Sequence, residues 1–392
     1  MANSTLPTIK YYPVKNGDMS LITLEDGTTI IVDCNIKAEC HGSTEPEIYD
    51  VKMDLLYSLQ RKNGNPYVDV FILTHGDEDH CLGFADNFYQ GDPLKYKEAD
   101  KKANLIIMDA MWFSPMIAEQ YGNPDEEAYQ KEAERRLDLH RRKHPEKDFA
   151  GNRIKIIGYD NSKKYDDLNH LRATPGDIVS RFNDKDQKKF SIFIHAPFKI
   201  DMKSTDKDKN SASIVFQARF KSEENSAGFS GLAMFGGDSD YTTWAQILER
   251  TKRFGNDVMH SALNWDLLLA PHHCSWTFFN KTPQTENPVP TDSSLEVLSY
   301  ASPGAWVIAS CKKIVNNDDN PPHYQAKQQY IKHLSSSSKF LNTASEPSDA
   351  KVEPITFEIS SNGAARPPKQ KVGNALSSAG GTGAASTIIK QG

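Results

Sequence analysis

His75, Asp77, Asp79 and His80 bring two imidazoles and two carboxylates together within the stretch Thr74-His75-Gly76-Asp77-Glu78-Asp79-His80, and Glu78 adds a third carboxylate. Oxygen and imidazole donors at that density suit a hard or borderline divalent cation such as Zn, Mn or Fe. The stretch lacks the thiolates of a closed structural zinc site. The plainer alternative is a solvated acidic loop that caps the next helix. What favours metal is the preceding run Tyr67-Val68-Asp69-Val70-Phe71-Ile72-Leu73, apolar on both alternating faces as expected of a central strand covered on each side. The end of such a strand projects the polar loop from a fixed place.

Two later stretches repeat the design. Leu232-Ala233-Met234-Phe235-Gly236-Gly237-Asp238 is an apolar strand ending at an acid. Trp265-Asp266-Leu267-Leu268-Leu269-Ala270 is another, followed by Pro271-His272-His273-Cys274-Ser275. Near the N-terminus, Gly17 to Leu24 and Thr28 to Cys34 read as two strands joined through Glu25-Asp26-Gly27, a hairpin turn, with Asp33 at the second strand's end. Ile48, Val51, Leu55, Leu56 and Leu59 have helical spacing, and Asn63-Gly64-Asn65-Pro66 stops that helix before the metal-loop strand.

The 74–80 loop resembles the His-x-His-x-Asp-His signature of the metallo-β-lactamase superfamily, with Asp77 at the second histidine. That variant is similar to the soluble hydrolase domain of ComEC-type DNA-uptake (competence) proteins. The Gly17-Asp18 opening with its Ile-Val-Asp-Cys strand end, the strand-Gly-Asp at Asp238 and the Pro-His-His at 271–273 are similar to further landmarks of that family. The resemblance implies an α/β fold, a four-layer αββα sandwich of the metallo-β-lactamase type over residues 1–360, holding two divalent metal ions, Zn or Mn. It implies His75 and Asp77 on one ion, Asp79, His80 and His272 on the other, and Asp238 bridging them. Asp77 in place of histidine makes the set harder and more anionic, which brings Mn into competition with Zn.

In that frame Asp79 orients the attacking hydroxide, and His273 or His323 donates to the leaving oxygen. Adjacent side chains diverge, so the order of His272 and His273 stays open, and Cys274 stands where the family has glycine. Asp33 is either a support of the metal loop or a turn carboxylate. Asn210-Ser211-Ala212-Ser213-Ile214 resembles the family's Asn-x-x-Ser-hydrophobic strand, which brings Asn210 and Ser213 towards the site, although Asn210 serves equally well as a turn cap. His323 follows the loop Asn316 to Pro322 and precedes a helix from Gln325 to Leu334, where it would otherwise be a helix N-terminal residue. Lys312, with Lys313, is ordinarily one of a solvated pair and here would face a phosphate. His195 stands alone and is read as structural.

Residues 86–185 fit the family pattern least and are read as an enlarged or inserted segment. It contains a strand at Leu105 to Met108 and a helix opened by Asn123-Pro124-Asp125-Glu126-Glu127. The basic cluster Arg135, Arg136, Arg141, Arg142 and Lys143 at that helix's end complements its dipole rather than marking a phosphate-tracking surface. From residue 361 to 392 the Gly, Ala, Ser and Pro content without apolar periodicity predicts a flexible, disordered tail.

The totals bound the function. A net charge of −6 does not advertise a nucleic-acid binder, although cations in the site would reverse the local sign. No apolar run approaches the roughly 20 residues of a membrane span and the N-terminus has no signal-peptide pattern, so a cytoplasmic protein without membrane contact is expected. Five scattered cysteines without a C-x-x-C pair argue against a disulfide framework, and Cys81 and Cys274 read as small buried thiols beside the site. The expected function is metal-dependent hydrolysis by a phosphodiesterase or nuclease acting on DNA. The alternatives are a hydrolase of a small phosphoester, of phosphocholine or nucleotide type, and a metal-stabilised non-catalytic binding protein.

Overall fold

The computed structural model describes residues 6–117, 122–159, 163–199, 212–253 and 261–368. It is a mixed α/β structure with two large sheets. The larger runs, edge to edge, through Gly363–Ala365, Ile355–Ser360, Thr8–Tyr11, Ser20–Thr23, Thr29–Val32, Asn65–Ile72, Ile107–Phe113, Arg153–Ile157 and Arg172–Ala173. The other runs through Phe340–Asn342, Ala301–Ala309, Trp265–Leu269, Gly231–Phe235, Val215–Phe220, Phe190–Ala196 and Ile178–Val179.

The alternating strands divide their side chains between cores. Val70 and Ile72 join Phe216, Phe235, Leu267 and Leu269 in one buried cluster that takes residues from both sheets. Phe71 and Leu73, one residue out of phase, point to a second cluster with Leu55, Phe84, Tyr129 and Leu137 from the helices Val51–Ser58, Phe84–Asn87 and Pro124–Arg141. On the far side of the other sheet, Leu268 and Met234 pack with Trp244, Ile247, Val297 and Tyr330 of the helices Tyr241–Arg253, Asp292–Ser299 and Tyr324–Lys332. Strands apolar on both faces are what such two-sided covering requires.

Both sheets change from antiparallel to parallel pairing where they meet the site. Thr29–Val32 pairs parallel with Asn65–Ile72, and that strand with Ile107–Phe113. Gly231–Phe235, Trp265–Leu269 and Ala301–Ala309 are parallel in turn. The segments holding Asp33, Thr74, Asp238, His272 and Ser310 therefore leave the carboxyl ends of five strands, the end at which α/β sheets present ligand sites.

The predicted hairpin at residues 17–34 is present, with Ser20 opposite Val32. Residues 86–185 do more than decorate the fold, because Ile107–Phe113, Arg153–Ile157 and Arg172–Ala173 are consecutive members of the larger sheet. The helix Pro124–Arg141 begins at Asn123, whose side chain accepts from Glu126 N–H. Its basic residues are engaged internally. Arg135 and Arg136 share Glu132, Arg136 also donates to the carbonyls of Met108 and Arg153, and Arg142 pairs with Asp138. At the other end of the chain, Gly363–Ala365 pairs with Ile355–Ser360, so ordered structure runs past the expected start of the tail at 361. The rest of that expectation, residues 369–392, lies outside the described residues. Among the described residues no helix is long and apolar enough to cross a membrane, and the five cysteines are free thiols.

Candidate metal centre

Asp79, His80, Asp238 and His273 each direct one donor atom into a common space, with all four atoms within 4.8 Å of one another. Two imidazoles and two carboxylates make a set suited to a divalent cation such as Zn or Mn. Asp18, Asp33 and His80 form an overlapping group of three on the other side of the His80 ring.

The loop that carries Asp79 and His80 is gripped from several sides. Cys34 N–H donates to His80 O at 2.7 Å, while Asn35 Nδ2 and Asp18 N–H both donate to Asp79 O, at 2.9 and 3.2 Å. Gly17 makes this approach feasible. Its φ is +140°, and a Cβ there would fall 2.0 Å from Asn35 Nδ2 and 2.6 Å from Asp79 O. From the outer layer, Asn123 Nδ2 donates to Gly76 O at 3.1 Å, and the Asp125 carboxylate accepts from Gly83 and Ala85 N–H at 2.9 and 2.7 Å. A Cβ on Gly76 would meet Glu126 Oε1 at 2.6 Å. The first turn of the helix Pro124–Arg141 is thus seated directly on the loop that carries Asp79 and His80.

Each histidine of the group is oriented through one ring nitrogen. His80 is fully buried, with Nδ1 3.1 Å from Asp33 Oδ2 and Nε2 2.8 Å from Asp238 Oδ1. Asp33 itself is fixed by Thr74, which donates to it through N–H and Oγ1, both at 2.6 Å. His273 has Nδ1 3.1 Å from Ser310 O and 3.4 Å from Asp18 Oδ1. Its Nε2 lies 3.1 Å from Asp79 Oδ2 and 3.6 Å from Asp238 Oδ1 but makes no aligned hydrogen bond, although it is buried. An imidazole whose Nδ1–H is held by a carbonyl, with a buried and unaligned Nε2 facing two carboxylates, fits a cation ligand.

The electrostatics agree with that fit. Burial opposes charge on His273, but Asp238 and Asp18 outweigh it and push its pKa up to about 10. His80 is likewise raised well above the usual imidazole range by Asp238 and Asp33 against the cost of burial. Asp238, despite its burial, is held well below the ordinary carboxylate range by His80 and His273. The pocket therefore favours positive charge at its centre.

Of the two histidines whose order the sequence leaves open, with His272 preferred as ligand, it is His273 that joins the converging group. The Pro271–Cys274 turn carries three consecutive residues at left-handed φ, with His272 at 48°, His273 at 52° and Cys274 at 65°. Such backbone costs roughly 1–2 kcal/mol per residue. Hydrogen bonds from His272 N–H to Gly237 O at 3.0 Å and from His323 N–H to Cys274 O at 3.0 Å hold it. The turn sends His273 to Asp18 and Asp79. His272 lies at the edge of the group, 20% exposed, with Nδ1 2.9 Å from Thr277 Oγ1 and Nε2 3.7 Å from Asp238 Oδ2. Cys274 occupies the left-handed conformation that glycine favours, and its thiol is buried.

His75 and Asp77, expected to hold a second ion, belong to neither group of converging donors among the described residues. His75 is buried, its ring centroid is 5.4 Å from that of His80, and its Nδ1 accepts from Asp77 N–H at 3.3 Å. The Asp77 carboxylate is 41% exposed and lies 3.7 Å from His75 Nδ1. Asn210 lies outside the described residues. Ser213 is placed at the site as a support, accepting from Asp238 N–H through Oγ at 3.2 Å.

His323 is a helix cap. Its Nδ1 accepts from Gln325 N–H at 3.1 Å and its ring packs 5.9 Å from that of Trp276, so its side chain is committed to the start of the helix Tyr324–Lys332. Lys312 is exposed and pairs with Asp319 at 2.8 Å. Sequence reasoning missed Asp18 and Ser310 as partners of His273. Only the Gly17-Asp18 opening of the first hairpin pointed to Asp18, and nothing local marked Ser310. Compared with known proteins, the chain matches no family model, and no curated protein shows significant similarity to it.

Proposed function

We propose that the protein is a divalent-metal-dependent hydrolase that cleaves phosphodiesters, with DNA as the substrate, and that its two sheets and outer helices form an αββα sandwich of the metallo-β-lactamase type. The observation that carries the reading is the convergence of Asp79, His80, Asp238 and His273 from three strand ends, with the Nδ1 of each histidine facing its own acceptor. The choice of DNA rests on the likeness of the 74–80, 236–238 and 271–275 stretches to ComEC-type hydrolase domains.

A divalent cation, when bound, supplies Lewis acidity that lowers the pKa of water and charge for the developing oxyanion. Asp33 and Ser310 fix His80 and His273 through their Nδ1 atoms. Asp79 has a side chain 37% exposed, the most open of the group, and would orient the attacking water by accepting its hydrogen bond, the water's proton passing to solvent. His272, beside the group and partly exposed, presents Nε2 as an acceptor that orients the substrate, and the leaving oxygen takes its proton from water. Water adds to phosphorus, the phosphorus–oxygen bond to the leaving group breaks, and the products are a phosphomonoester and an alcohol.

The test is metal analysis of the purified protein followed by hydrolysis of bis-nitrophenyl phosphate, single-stranded DNA and duplex DNA. Turnover that requires Zn or Mn, and that falls at least about a thousandfold in Asp238→Ala while the protein stays soluble, is the expected result. A metal-loaded protein without turnover on any of the three substrates would leave a binding role instead.

A further inference from the structure

A cavity of about 370 Å³ is built by the same loops that support the candidate metal centre. The loop after Thr8–Tyr11 places Val14 and Lys15 on the cavity and Asp18 on His273. The segment after Thr29–Val32 places Asp33 on His80, Asn35 on both the cavity and Asp79 O, and Lys37 on the cavity. The segment after Ala301–Ala309 places Ser310 on His273, and Lys312 and Lys313 on the cavity. These loops are tied to one another, with Ser310 Oγ donating to Gly17 O at 2.6 Å and Lys312 N–H to Asn16 Oδ1 at 3.0 Å.

Four lysines and three carboxylates line this space, and the lysines are not equivalent. Lys313 pairs with Asp349 and Lys312 with Asp319. Lys15 and Lys37 have no carboxylate within ion-pair distance among the described residues; Lys37 is half-buried and donates to Val14 O at 3.0 Å. Burial and then the neighbouring Lys15 ammonium lower the Lys37 pKa, the situation that an entering anion relieves. Glu39 and Glu47, by contrast, are exposed residues at the rim. Ile48, Tyr49 and Val352 give the remaining wall an apolar, partly aromatic character. The volume lies at the lower end of the range of small-molecule sites, enough for one nucleotide-sized body.

We propose that this cavity is a substrate subsite that takes one phosphorylated, nucleoside-sized unit, with its phosphate held by Lys15 and Lys37 and its ring against Tyr49. The subsite rests on the phosphodiesterase reading for its role as a substrate site, but its occupancy is measurable without turnover. Isothermal titration of the full, metal-containing chain with thymidine 5′-monophosphate and with thymidine separates the two. The monophosphate is expected to bind about tenfold or more tighter than the nucleoside, the size of one charge-assisted hydrogen bond. Lys15→Gln and Lys37→Gln should each remove roughly that factor with metal content unchanged, and Lys37→Arg should keep most of it.

Equal affinity for the two ligands, or monophosphate binding indifferent to both Gln variants, overturns the proposal. Lys15 is exposed, so its variant remains informative even if Lys37→Gln fails to fold. Lysine-dependent binding without phosphodiester turnover would sink the hydrolase reading and keep the subsite. Metal-dependent turnover without lysine-dependent binding would do the opposite.

Discussion

His80 and His273 are each held through Nδ1 while Nε2 is turned to the centre, by Asp33 in one case and by Ser310 O with Asp18 in the other. His272 differs, since its Nδ1 goes to a hydroxyl, Thr277 Oγ1, and its Nε2 stops 3.7 Å from the nearest oxygen of Asp238. The two neighbours should therefore respond differently to the same change. His273→Gln is expected to lower bound metal by at least about tenfold in affinity, whereas His272→Gln keeps the metal and lowers turnover. Metal titration alongside steady-state rates checks this. Metal loss in the His272 variant with full retention in the His273 variant would make His272 the ligand instead. Asp18, which sequence reasoning left without a role, acts through His273 and is a positioning residue. Its neighbour Gly17 shows why the pair must be Gly-Asp, because no side chain fits between Asn35 and Asp79 O.

The helix Pro124–Arg141 is the element whose meaning changes most between sequence and structure. Its cap, its proline at the first turn and its acidic opening were all legible, because they are local. That this first turn also clamps the metal loop was not, since Asn123 reaches Gly76 O across 47 residues and Asp125 reaches Gly83 across 42. Asn123→Ala removes both the cap and the contact with the loop. A loss of about 1 kcal/mol of stability is expected from the cap alone, together with weaker metal binding from the loosened loop. Thermal unfolding with and without added metal measures the two. A destabilised variant with unaltered metal affinity would show that the helix carries the loop only passively. The left-handed turn at 272–274 is the second such element, since its strain is held by Gly237 and His323 from other parts of the chain.

At the scale of the whole molecule, the two sheets bury groups that set its tolerance of acid. His195, read from the sequence as structural, is fully buried, with Nε2 3.0 Å from Ala262 O and its ring against Phe193. Burial, and then the Arg219 cation, lower its pKa from 6.5 to about 3. The folded state thus binds this proton more weakly than the unfolded chain. The contribution is fully present above pH 6.5 and is lost progressively as pH falls towards 3, by up to about 1.4 kcal/mol per pH unit. Denaturant unfolding of wild type and His195→Gln between pH 7 and pH 4 tests it, and the variant should lose less stability over that interval. Parallel pH dependences would show that His195 does not titrate on unfolding. The sequence by itself determined the donors' identities and the apolar strands that deliver them, because residue type and strand period are properties of short stretches. The likeness of its short motifs to a known family offered His75, Asp77, Asp79, His80, Asp238 and His272 as ligands and left Asp33 between a loop support and a turn carboxylate. Only the tertiary structure decided that His273 rather than His272 joins the converging group, that His323 caps a helix, and that the loops supporting that group also line a lysine-bearing cavity. Those outcomes depend on the directions of side chains that meet across two sheets, as Ser310 and Gly17 do across 293 residues of chain.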